Sequence, residues 1–127
     1  MIENKYLLEA EPEFWGMTQE ELMVRTNGCG AMGGFFSKVK VPDILNGVDE
    51  SMPCRIHDYD YSIGKTEEDK INADWRLFHN MLHLSYLKYN DDAHELRHSV
   101  RDCWAYYEAV SKFGRSAFWD GKNKSSV

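Results

Sequence analysis

Apolar side chains return every three or four positions through Ile71, Trp75, Leu77, Phe78, Met81, Leu82 and Leu84, which is the period of one helix face. The pattern predicts a helix from Thr66 to about Tyr89, with Thr66 and Asp69 as a capping signal at its start and Asn90-Asp91 as its break. A second stripe, Leu96, Val100, Cys103, Tyr107 and Val110, predicts a further helix over 92–113 that ends at Gly114. Upstream, Pro53 stands where a first-turn proline is tolerated, Ser51 can cap and Gly64 lies where a helix would stop, so a helix is expected over about 52–63. Thr18-Gln19-Glu20-Glu21 fits a capping box for a short helix that runs to about Arg25.

The remaining segments have weaker patterns. Residues 1–16 mix Tyr6, Leu7, Leu8, Phe14 and Trp15 with glutamates, and Pro12 limits any helix, so an irregular or partly helical arm is expected. From Gly28 four glycines fall within seven residues, in a loop over 26–34. Such a loop can turn carbonyls to a cation or amides to an oxyanion, or it can simply be a flexible turn. Phe35 to Val41 alternates loosely, as a short strand or hairpin arm would, and Pro42-Asp43 and Asn46-Gly47 mark turns. The expectation is a mainly α single domain over 1–127, with a helical hairpin at 52–89 and a polar tail at 114–127.

The hairpin has a chemical consequence. Two helices joined by so short a turn lie nearly antiparallel. With the turn centred between Lys65 and Thr66, position 57 faces position 74, each about 12 Å along its helix at roughly 1.5 Å per residue. Asp74 sits inside the apolar stripe, where a carboxylate costs several kcal/mol unless it is paired. His57 is its natural partner, and the Tyr61 hydroxyl is a second donor one turn further along the same face. Ala73, opposite Asp58, lets the helices approach. From these residues alone the pair reads equally as a site and as a core histidine fixed by a carboxylate.

Charge narrows the partners. A net charge of −6 with no concentrated basic surface argues against nucleic acid. Neither a basic-then-apolar leader nor an apolar stretch near the roughly 18 residues of a membrane span is present, so a cytoplasmic or virion-borne location is expected. Three cysteines are too few for a secreted disulfide scaffold, although one pair can form.

Cys54-x-x-His57-Asp58-x-x-Tyr61, preceded by Asn27-Gly28-Cys29-Gly30 and followed by Ala73-Asp74, resembles the phospholipase A2 superfamily, and is similar to its small bacteriophage and bacterial members. The resemblance covers about Thr26 to Leu82. It implies a phospholipase A2-like fold and a Ca2+-dependent hydrolase that cleaves the sn-2 ester of glycerophospholipids. His57 would be the general base, Asp74 would orient it and Tyr61 would bond Asp74. Asp58 would ligate calcium with the carbonyls of Gly28 and Gly30, and an amide near Gly30 would assist at the oxyanion. Cys29 and Cys54 match a family disulfide pair. Gly33-Gly34 lies farther from the loop cysteine than in secreted members, and Pro53 and Asp60 stand where many of those have cysteines. The tail, where Phe118 and Trp119 lie among Arg115, Lys122 and Lys124, is compatible with docking on a phospholipid surface and equally with a packed C-terminal arm.

Two other readings stand beside this one. The same fold can serve as a structural or interaction protein without turnover. His94-Glu95-Leu96-Arg97-His98 is literally His-Glu-x-x-His, which on a helix can hold zinc with Glu95 to activate water. Arg97 within it and the helix start around it favour a solvated helix end instead. His79 and His83 are expected as surface or aromatic-packing residues, and Cys103 as a core residue.

Overall fold

A computed structural model of the chain describes residues 1–29 and 43–122. Local capping chemistry starts most of its longer helices. Thr18 accepts the Glu21 amide while Glu21 accepts the Thr18 amide, both at 3.1 Å, and α2 (Gln19–Arg25) follows. The same reciprocal pair, Thr66 with Asp69, opens the 23-residue helix Glu67–Tyr89. Asp92 caps Ala93–Phe113 by accepting the Glu95 amide at 3.1 Å. Helix Ser51–Ile63 differs from expectation: Ser51 is its first residue and Glu50 its N-cap, and it is Asp49 that accepts the Ser51 amide, at 2.9 Å.

In chain order the elements are α1 (Pro12–Trp15), α2, β1 (Ile44–Leu45), β2 (Val48–Asp49), α3 (Ser51–Ile63), α4 (Glu67–Tyr89), α5 (Ala93–Phe113) and α6 (Arg115–Trp119). The protein is mainly helical. β1 and β2 form an antiparallel hairpin that the sequence pattern does not reveal, closed by Asn46 and Gly47 at φ 50° and 78°. Tyr89 at the end of α4 donates to the Asn46 carbonyl at 2.8 Å and fixes this hairpin to the helices. The expected strand at 35–41, with Gly30, Gly33 and Gly34 of the loop, lies outside the described residues.

α3 and α4 form the expected helical hairpin, and α5 packs along α4. One core cluster lies on the side of the C-terminal helices, where Cys54, Tyr61, Leu77, Met81, Cys103, Val110 and Phe118 meet. The other lies under the N-terminal arm, where Ile2, Leu8, Phe14 and Met17 pack on Ile56, Tyr59 and Leu84. The arm is thus a structural part: Asn80 on α4 clamps the backbone of Glu9, accepting from its amide at 2.8 Å and donating to its carbonyl at 2.9 Å.

Of the two expectations for the tail, the packed arm is the one seen over its described residues. α6 folds back, and Phe118 and Trp119 are buried, with the Trp119 indole donating to Glu67 at 3.0 Å. The Phe118 ring stands edge-on to Tyr61 with centroids 5.1 Å apart. These two aromatics are core residues here. Among the described residues no helix is long and apolar enough to cross a membrane.

Candidate active site

His57 on α3 and Asp74 on α4 meet across the hairpin, Nε2 to Oδ1, at 2.8 Å. The Tyr61 hydroxyl donates to the same Oδ1 at 2.7 Å, and its ring lies against the His57 imidazole with centroids 4.1 Å apart. The counting that sets position 57 opposite 74 therefore corresponds to a direct contact. Both side chains are about 2% exposed. Burial by itself would push the Asp74 carboxyl up. The hydrogen bond and charge of His57, with the bonds from Lys70 and Tyr61, outweigh it and hold Asp74 below the usual carboxylate range. Asp74 is thus an anion at hydrogen-bond distance from Nε2, which favours the tautomer with its proton there and leaves Nδ1 as the nitrogen that can accept one. Burial, then the Asp74 charge, push the Tyr61 phenol far up, so it remains a donor.

Lys70 is a member of this group that the sequence reading passed over. Its ammonium donates to Asp74 Oδ2 at 2.8 Å and to the Ser111 carbonyl at 3.2 Å. The signal was present, because Lys70 stands four residues before Asp74 on one helix face. Gly114 closes the group from the other side: a Cβ there would fall 2.7 Å from the Tyr61 hydroxyl, so the α5–α6 junction comes this near only as glycine.

The start of the glycine-rich loop is tied to α3 at three points. Cys29 and Cys54 form a disulfide. Arg55 donates to the Thr26 carbonyl at 3.1 Å and to its hydroxyl at 2.9 Å. Asp58 Oδ2 accepts the amides of Asn27 and Gly28 at 2.8 and 2.9 Å. Asp43 accepts the Cys29 amide at 3.1 Å, and Tyr106 on α5 donates to the Cys29 carbonyl at 3.3 Å, a second contact with no local sequence signal.

Asp58 is the one charged calcium ligand of the expected set. Burial pushes its carboxyl up, against the amides of Asn27 and Gly28 and the charges of His57 and Arg55. A hard dication beside it would offset that cost, and the Gly28 carbonyl belongs to the same turn, so the donor chemistry suits calcium. Gly30, expected both as a ligand and at the oxyanion, lies outside the described residues. Side chains alone do not make such a centre: no group of three or more His, Cys, Asp or Glu is arranged to hold a metal among the described residues.

The His-Glu-x-x-His segment is such a case. His94 and His98 are exposed on the first turns of α5, with ring centroids 4.6 Å apart, and the zinc centre that the motif would allow is not assembled among the described residues. His79 lies against Trp75 and Phe78, and His83 bonds the Tyr6 carbonyl at 2.9 Å. Cys103 is a buried free thiol, pushed up to about 12 by burial.

A cavity of about 510 Å³ lies between the arm and the hairpin, lined by Glu9, Glu11, Asp60, Trp75, Arg76 and His79 among others, and His57 does not line it. No protein-family model, curated protein or solved structure matches the chain.

Proposed function

We propose that the chain is a Ca2+-dependent, phospholipase A2-like hydrolase of the sn-2 ester of glycerophospholipids, with His57 as general base. The observation that carries this reading is the shared Oδ1 of Asp74, which accepts from His57 Nε2 at 2.8 Å and from Tyr61 at 2.7 Å. A carboxylate held in this way fixes the ring's tautomer and stabilises the imidazolium that forms when Nδ1 takes a proton from an attacking water. Asp58 and the Gly28 carbonyl would hold calcium, which supplies polarisation of the ester carbonyl when bound. The tie between Asp58 and the amides of Asn27 and Gly28 holds the start of that loop to α3, at the residue next to His57. The residues themselves supply proton transfer at Nδ1, orientation through Asp74 and Tyr61, and exclusion of water from the Asp74 side.

A second reading, a non-catalytic structural or interaction protein of this fold, is favoured by Asp58, one of whose oxygens is already taken by two amides. Release of fatty acid from mixed phospholipid vesicles separates the two. Turnover that is lost on His57→Ala and on calcium chelation is the expected result. A folded, calcium-supplied native protein without turnover sinks the hydrolase reading.

A further inference from the structure

We infer that Lys70 is a positioning residue of the His57–Asp74 pair, holding Asp74 in the one orientation that offers Oδ1 to His57 and Tyr61 together. Lysine is almost never fully buried unless paired, and Lys70 is 3% exposed. Its ammonium meets two acceptors of different origin, Asp74 Oδ2 at 2.8 Å on its own helix and the Ser111 carbonyl at 3.2 Å on α5. Ser111 belongs to the last turn of α5, whose carbonyls lack helical partners and carry the negative end of the helix dipole. A cation is therefore favoured at this point by two separate features.

The consequence lies in the Asp74 torsion. The terminal torsion of an aspartate is broad, so a carboxylate held on one oxygen alone can rotate. Here Oδ1 takes two donors from α3 and Oδ2 takes Lys70, so three donors from two directions define the carboxylate plane. Because Lys70 also grips α5, the position of that helix is transmitted to Asp74 and through it to the imidazole. The bland alternative is that Lys70 only compensates a buried charge, in which case Oδ1 would keep its geometry without it.

The inference rests on the hydrolase reading only in its kinetic arm, so two measurements on the full chain are paired. The first is the downfield N–H resonance of His57 Nε2 by NMR, which needs no substrate and reports the bond to Asp74. The second is kcat and KM on phospholipid vesicles with calcium. Lys70→Met is expected to lose or shift the resonance and to lower kcat on the order of 10- to 100-fold, with KM changed less than about two-fold. Lys70→Arg is expected to retain the resonance. A folded Lys70→Met protein with native resonance and native kcat would overturn the inference. Should Lys70→Met not fold, Lys70→Ala with added ethylammonium decides: recovery of the resonance with ethylammonium and not with ethanol supports it, and equal recovery with both, or none, overturns it. Native protein that shows the resonance but no vesicle hydrolysis would count against the hydrolase reading alone.

Discussion

Arg76 Nη1 lies 3.1 Å from Asp60 Oδ1 and 3.2 Å from Oδ2, across the helical hairpin. The same guanidinium reaches Glu11 on the arm at 3.1 Å, so one side chain joins α3, α4 and the N-terminal segment. Burial, against Arg76, pushes the Asp60 carboxyl up to about 6. Removing Arg76 leaves Asp60 buried without its cation, and Arg76→Met is expected to cost about 3 kcal/mol in urea unfolding at neutral pH. The cost should shrink toward pH 4 as Asp60 takes a proton. A cost that does not vary with pH would remove Asp60 from the explanation.

Glu50 is buried, and among the described residues neither of its oxygens has a hydrogen-bond partner. Burial, reinforced by the charge of Asp49, pushes its carboxyl up from 4.5 to about 8. The folded state therefore binds a proton that the unfolded state has released between those values, so this group's stabilising contribution is complete below about pH 4.5 and is lost as pH rises through about 8. Glu50→Gln cannot lose a proton. Its stability relative to the native chain should rise from pH 5 to pH 8 by on the order of 3 kcal/mol. Parallel stability curves for the two proteins would show that Glu50 is not protonated in the fold.

Phe118 is fully buried and contacts Tyr61, which in turn bonds Asp74. Phe118→Ala is expected to lower stability by about 3 to 5 kcal/mol, measured by chemical denaturation. A surface aromatic would lose almost nothing on the same change.

The Cys29–Cys54 disulfide closes a separation of 25 residues and holds the first part of the loop to α3. On chain-entropy grounds, reduction is expected to remove about 3.5 kcal/mol. Equal denaturation midpoints with and without reductant would show that the bond contributes nothing to stability.

How much of this could be read beforehand depends on the reach of each signal. Thr18 with Glu21 and Thr66 with Asp69 lie within one helical turn, so spacing alone located those helix starts. The α3 start was displaced because its supporting acceptor, Asp49, belongs to a hairpin with only two residues in each strand, too short for alternation to mark. His57 and Asp74 are 17 residues apart, yet a short turn between two regular helices made their encounter a matter of counting. Lys70 was legible as a neighbour of Asp74 but not as buried, because its burial depends on Ser111, 41 residues away.

By itself, then, the sequence determined the limits of α2, α4 and α5, the antiparallel helical hairpin and the meeting of His57 with Asp74, all of which follow from regular geometry acting over short separations. Only the tertiary structure decided that Phe118 and Trp119 are core and not surface, that Lys70 is part of the Asp74 group and that the arm is bound by Asn80 and Arg76. The physical reason is that exposure and pairing of these side chains depend on where distant segments return. A lysine or tryptophan carries the same local pattern whether that return covers it or leaves it in water.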